Sequence, residues 1–249
     1  MSNNNNNNNG KINTSSKKFK IVANSNSPKG KFLANWLLTK SYHLEREINP
    51  RPVQFYDTYK RGTVVMVDFG VNIGNEMSNR HFGIVINKTD NKKNGIITVL
   101  PLSSKFSPHY LKLNDELFTI IVDDIGEKLR SLMSELNEVE AVLKKSNLND
   151  KKSIAEADTP KIETVREYLL EKLNAAADKR QKLEDILKVY MKYNKDTFVC
   201  TKNIQTLSKL RVFKINEYDP SGSMRISKST MERIDNEIVS VLTNIKISN

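Results

Sequence analysis

The sequence predicts an α+β fold, a small and strongly curled antiparallel sheet carrying an inserted helical hairpin, with further helices near both ends of the chain. Three observations predict it. The apolar and β-branched residues of Thr63–Phe69, Phe82–Asn87 and Ile96–Leu102 form strand-length runs separated by Gly- and Asn-rich turns. Residues 125–195 abandon that alternation for Leu, Glu, Lys and Ala at spacings of three and four, the period of an amphipathic helix. Two further stretches with helical spacing, within residues 28–48 and 227–247, flank the rest.

Taken in order, residues 1–27 combine the Asn3–Asn9 run with Ser, Lys and Gly. They hold too few apolar side chains to offset the entropy of ordering, so a disordered, solubilising tail is expected. Ser27 and Pro28 then form a cap and first-turn pair for a short helix with Phe32, Leu33, Trp36, Leu37, Tyr42 and Leu44 along it. Asn49-Pro50-Arg51-Pro52 ends that helix, because a residue preceding proline is pushed out of the helical region; residues 28–58 are this helix and its linker. The sheet follows over 59–124, with His109–Leu113 and Leu117–Asp123 read as two more extended segments after the third strand. In the hairpin, one run carries Leu129, Leu132, Met133, Leu136, Val139 and Leu143, the other Val165 to Tyr190. The polar stretch Lys145–Lys161, with Pro160, makes the turn between them. Each helix has one apolar stripe, which an antiparallel pair buries. Phe198–Val212 returns to strand character, Asp219-Pro220-Ser221-Gly222 turns, and Ser227–Ile247 gives a last helix with Ser227 or Ser229 as its cap.

Composition narrows the function classes. The net charge is +11, with 10 basic against 3 acidic side chains in the first 60 residues and 8 against 5 after residue 196. A basic excess favours a polyanionic partner through counterion release, or is simply a solvated surface. The single Cys200 excludes an internal disulfide, and His43, His81 and His109 lack zinc-ligand spacing, so chemistry in a reducing cytoplasm without metal or other cofactor is expected. No apolar run approaches the roughly 20 residues that span a bilayer, and the Asn-rich start lacks a signal-peptide apolar region, so neither membrane insertion nor export is expected.

The run Lys60–Lys105 resembles the PemK/MazF family of type II toxin-antitoxin endoribonucleases, the mRNA interferases. In that family an Arg-Gly pair opens the first strand and a Gly-x-Glu loop follows; here these are Arg61-Gly62 and Gly74-Asn75-Glu76. An Arg then starts the second strand and a Pro-x-Thr-Ser segment ends the third, matched by Arg80 and by Pro101-Leu102-Ser103-Ser104-Lys105. Phe198–Val212 resembles the family's later strand and turn, with Asn203, Gln205, Thr206, Lys209 and Arg211 at the matching places. His81 stands where members have Pro, Ser103 where they have Thr, and Cys200 and Lys202 where some carry an Arg and an Asp as acid and base. The resemblance covers 59–124 and 196–247 and is silent on the hairpin. It implies an SH3-like β-barrel of the MazF/CcdB kind with a C-terminal helix. It also implies cleavage of single-stranded RNA to 2′,3′-cyclic phosphate and 5′-hydroxyl ends, a homodimer, and an antitoxin partner.

Cleaving RNA without metal needs a base for the 2′-hydroxyl proton, a cation for the phosphorane charge and an acid for the leaving oxygen. Arg80 suits the second role, since its fork stays charged and grips two phosphate oxygens; an ion pair with Glu76 or Asp68 is its structural alternative. Ser103 positions the 2′-hydroxyl, with Ser104 beside it, and Glu76 orients Arg80. Lys88, Lys105, Asn203, Thr206, Lys209 and Arg211 are the candidate RNA contacts. His81, next to Arg80 on a strand, points to the opposite face. Two readings of another class compete: a catalytically silent module on the same fold that grips a protein, and a scaffold whose hairpin docks a partner.

Overall fold

A computed structural model describes residues 2–48, 55–145 and 159–245. Its strands are β1 (Val64–Asp68), β2 (Arg80–Val85), β3 (Ile96–Ser103), β4 (Leu111–Lys112), β5 (Phe198–Val199), β6 (Gln205–Ser208) and β7 (Val212–Phe213). Its helices are α1 (Ser2–Ala23), α2 (Gly30–Ile48), α3 (Glu116–Lys145), α4 (Thr159–Tyr190) and α5 (Lys228–Leu242). The expected turns at 49–54 and 146–158 lie outside the described residues.

The seven strands form one antiparallel sheet in the order β4-β5-β3-β2-β1-β7, with β6 also on β3. Consecutive strands pair as hairpins, Val64↔Ile84 between β1 and β2 and Gly83↔Pro101 between β2 and β3. Among the described residues no ladder joins the outer strands, so the expected closed barrel is not found. β3 divides its pairing instead, its first half taking β6 and its last two residues β5. β6 and β7, neighbours in the chain, lie on opposite edges of the curl, and the 3-10 turn Lys209–Arg211 bridges the gap between them.

Strand alternation separates two cores. Val65, Val67, Phe69, Val85, Ile97, Val99 and Leu207 pack on one side with Tyr59. Val64, Met66, Phe82, Ile84, Leu100 and Leu102 face the other way and join Leu117, Ile121, Leu183 and Ile186 of α3 and α4 and Ile234 of α5 in one continuous core. The hairpin is therefore rooted in the sheet. Farther out, Lys179 of α4 reaches Glu135 of α3 at 2.6 Å.

Residues 117–123 correct the sequence expectation, because α3 begins at Glu116 where an extended segment is expected. The β-branched run Thr119–Val122 suggests a strand, but Leu117, Ile121 and Ile125 are buried to 2–3% exposure while Val122 is half exposed, a helical spacing that the core selects. Glu116 also accepts the Ser227 amide and the Thr230 hydroxyl, tying the start of α3 to that of α5. Ser227 caps α5, its side chain accepting the Thr230 amide at 3.2 Å. Arg61 fastens α5 to the sheet by donating to Ile86 C=O and pairing with Asp235.

Residues 2–23 are a second correction: α1 stands where composition predicts a disordered tail. Its second half folds back on α2, with Ile12, Phe19 and Ala23 facing Ala34 and Leu37 across an apolar cleft, a tertiary contact that composition alone does not show. Ser27 caps the turn between them, accepting the Gly30 amide at 2.9 Å.

The Asp219 carboxylate is buried in the turn before α5, where it accepts the Ile215 and Ser221 amides at 2.7 and 2.8 Å and the Tyr190 hydroxyl. Burial first, and then the neighbouring carboxylate, push the Tyr190 phenol far up, so it remains a donor. Tyr190→Phe is expected to cost about 1–2 kcal/mol, the loss of one buried charge-assisted hydrogen bond, measured by urea unfolding.

Candidate active site

The β1–β2 connection, residues 69–79, is bonded to itself before it delivers Arg80. The Asn72 side chain donates to the carbonyls of Phe69 and Met77 at 2.9 and 2.7 Å, and its amide donates to Ser78 Oγ at 3.0 Å. The Asn79 amide donates to Gly70 C=O at 2.6 Å, closing the loop, and Asn79 itself has φ of +72°. Gly74, with φ of +58°, permits the turn at the tip. Asp68 and Arg80 are therefore exact cross-strand partners at the mouth of this loop.

Arg80 is 55% exposed, its Nε 3.9 Å from Asp68 Oδ2 and its guanidinium 4.0 Å from the centre of the Phe213 ring. The aromatic face holds the fork while leaving donors for a ligand. Arg211 lies alongside, donating from Nε to Asp68 C=O at 2.8 Å, with burial drawing its pKa down against the pull of Asp68. The Asp68 carboxylate also accepts the Gly70 amide at 2.8 Å. Two cations and one carboxylate thus converge at the ends of β1, β2 and the turn before β7.

Helix α2 forms the outer wall. Lys29, just before it, donates to Asn72 C=O and Gly74 C=O at 2.6 and 2.7 Å, pinning the helix to the loop. Trp36 lies 4.9 Å over the Arg211 guanidinium and against Gly70, where a Cβ would stand 2.5 Å from the indole. Between helix and loop is a cleft of about 390 Å³ with Phe32, Asn35, Trp36, Asp68, Asn79 and Arg80 on its walls. Gly70 also has φ of +76°. Gly70→Ala is expected to cost about 1–2 kcal/mol through the backbone alone, and more through the indole; a thermal melt checks it.

The structure brings together some of the sequence-predicted residues and separates others. Ser103 is not joined to Arg80. Alternation sends Arg80 to the side of Phe82 and Ile84, and Ser103 to the side of Ile97 and Val99. The Ser103 hydroxyl accepts the Lys105 amide at 3.0 Å and donates to the Lys105 carbonyl at 3.4 Å. Ser104, Lys105 and Lys88 are exposed. Glu76 is exposed in the loop, and Asp68 is the carboxylate beside Arg80. His81 points away from Arg80 as expected, 6.5 Å from the Phe69 ring; burial pulls its pKa below the ordinary value, so the imidazole is neutral near pH 7. Thr206 is exposed, its hydroxyl 2.9 Å from that of Thr98, and Asn203 accepts from Gln205 at 2.9 Å. Cys200 is buried, and burial pushes its thiol up.

Lys209 corrects the expectation of an RNA contact. Its ammonium is 2% exposed and bonded to both Asp90 oxygens at 2.7 and 2.8 Å and to Asp57 C=O at 2.8 Å. A cation with its donors filled inside the fold offers nothing to a phosphate. Its place in a buried turn explains this, because an ammonium taken out of water is costly unless it is paired and hydrogen-bonded.

Sequence reasoning offered Asp68 beside Glu76 as a partner for Arg80 without choosing between them, and gave no site role to Trp36, Phe213 or Tyr193. Asp68 had a signal: it ends β1 opposite the residue that starts β2. Tyr193 lies against Phe82 at 4.8 Å, with burial raising its phenol and Arg80 drawing it back. No local pattern places it there, since it follows a helix of 32 residues.

A comparison with protein families finds a match over residues 60–177 to the PemK-like, MazF-like toxin of type II toxin-antitoxin systems. No curated protein matches the chain. The matched span opens at the entrance to β1, takes in Arg80 and the Pro101–Lys105 segment, and ends within α4, before the Phe198–Val212 block. The matched span and the ordered motifs within it agree, with α3 and the start of α4 a helical pair in that region: residues 60–177 of this chain belong to the PemK/MazF toxin family.

Proposed function

We propose that this protein is a toxin-type endoribonuclease that cleaves single-stranded RNA without metal, by attack of the 2′-hydroxyl on the adjacent phosphate. The observation that carries the reading is the half-exposed Arg80 guanidinium, held over Phe213 beside Asp68 within the family-matched span. Arg80 grips the phosphate and stabilises the charge that builds on the phosphorane. Asp68, on the wall of the same cleft, accepts the 2′-hydroxyl proton, the role for which Ser103 is less well directed. Ser103 and Ser104, with Lys88, Lys105, Asn203 and Thr206, belong to the flanking RNA path. A cytoplasmic homodimer restrained by an antitoxin accompanies this reading, as the family implies.

We further read residues 59–124 and 196–249 as one unit with 125–195 inserted, which the shared core of sheet, hairpin and α5 supports. Incubating the purified protein with long RNA in EDTA tests the activity. Cleavage to 2′,3′-cyclic phosphate and 5′-hydroxyl ends is expected. Absence of cleavage, or equal cleavage by Arg80→Ala, rejects it in favour of a silent binding module.

A further inference from the structure

We propose that the cleft between α2 and the 69–79 loop is a nucleotide subsite, in which the N-terminal helix holds one RNA base while Arg80 holds its phosphate. This rests on the RNA-cleavage reading and adds what that reading lacks, a place for a base.

The cleft has the makings of such a site. At about 390 Å³ it lies in the size range of small-ligand pockets, so α2 stands off from the loop rather than closing on it. Its walls combine an aromatic pair, two amides, a carboxylate and a guanidinium. Phe32 and Trp36 are four residues apart and so share one face of α2, and Phe32 is 48% exposed. Bases splayed from single-stranded RNA are held by stacking on such rings and by hydrogen bonds to their edges. Asn35 follows on the helix and Asn79 faces it from the loop, and side-chain amides both donate and accept, as base edges require.

Two independent observations point to a ligand. Asn79 Oδ1 and Arg211 Nη2 are buried without a hydrogen-bond partner, one on the wall of the cleft and the other beneath Trp36. Buried polar atoms are ordinarily paired, so the Asn79 acceptor left open on the wall of the cleft marks a place for a polar guest, with the open Arg211 donor behind the indole. The second observation is rigidity. Lys29 fixes α2 to two loop carbonyls, and Gly70, which has no side chain, lets the indole approach the backbone. The helix is thereby set at the distance that leaves the cleft open. On this arrangement α2 is a wall of the RNA site, and residues 30–48 contribute to sequence preference.

Trp36 is the sole tryptophan, so its fluorescence reports on this cleft alone. The full-length protein is titrated with the four nucleoside 5′-monophosphates and with 2′-O-methyl trinucleotides that cannot be cleaved. Saturable quenching is expected, with one base bound more tightly than the others. Phe32→Ala weakens the binding by about 5- to 100-fold, as loss of one base–aromatic stack does. Asn35→Ala levels the preference among bases, and Arg80→Ala weakens all four nucleotides together. The proposal is overturned if no nucleotide quenches Trp36, if Phe32→Ala and Asn35→Ala bind as wild type, or if either variant cleaves RNA faster, which would make α2 a lid. The two readings separate cleanly. RNA cleavage without quenching removes the subsite and leaves the nuclease, whereas quenching without cleavage removes the nuclease and leaves the subsite.

Discussion

Arg80→Ala is expected to lower the rate of RNA cleavage by about 100- to 1,000-fold, the loss that follows removal of one preorganised donor to a developing charge. The fold should barely register the change. The guanidinium is 55% exposed, its ion pair with Asp68 is 3.9 Å long, and it lies 4.0 Å from the centre of the Phe213 ring. Such exposed contacts contribute less than about 1 kcal/mol each. Arg80→Lys separates charge from geometry, since it keeps the cation and loses the fork that grips two oxygens. It should recover only part of the rate. The measurement is kcat/KM on an RNA oligonucleotide beside a thermal melt of each variant; a rate loss that tracks a fall in Tm would assign Arg80 to structure instead.

Lys209→Met is expected to do the reverse, destabilising the fold by about 3–5 kcal/mol by leaving Asp90 charged and unpaired inside the protein. Both side chains are 2% exposed, and Asp90 accepts the Tyr59 and Asn91 amides, each at 2.9 Å, in addition to the ammonium. Burial alone would push the Asp90 carboxyl up. The Lys209 ammonium and the two amides outweigh it and hold the carboxyl below its ordinary value. The sign of the pH dependence follows. A carboxylate with a depressed folded pKa adds stability above its unfolded value of about 4, and that stability is lost as pH falls through the folded value. In Lys209→Met the buried carboxyl lacks its cation, its pKa rises, and the variant is penalised most where the acid must ionise. The gap between wild type and variant should thus be widest near pH 7 and narrow toward pH 4. Urea unfolding at both pH values reads it, and a pH-independent gap would mean that the pair is not the cause. Loss of RNA binding in a Lys209 variant that keeps its full stability would restore the lysine to the RNA path.

These two residues show why a motif does not assign roles by itself. Arg80 and Lys209 are both cations singled out by motif, and nothing in their sequence neighbours distinguishes a half-exposed guanidinium from a buried ammonium. The distinction comes from Asp90, 119 residues before Lys209 in the chain. Ser103 teaches the same lesson through alternation. Its place after Pro101-Leu102 is legible, but the side of the sheet it faces depends on the register of β3 against β2. A shift of one residue would send it to Arg80.

By itself the sequence determined the strands β1 to β3, the hairpin, the capped last helix and the loop that presents Arg80, because each is set by local periodicity, turn chemistry or capping within a few residues. Only the tertiary structure decided that the sheet stays open, that residues 117–123 are helical, that α1 forms against α2, and that Trp36 and Asn35 line the cleft of Arg80. Those outcomes depend on contacts between segments far apart in the chain. Local propensity there is weak or contrary, and the free energy of burying Leu117 and Ile121, pairing Lys209 with Asp90 and seating an indole on Gly70 is what selects among the alternatives.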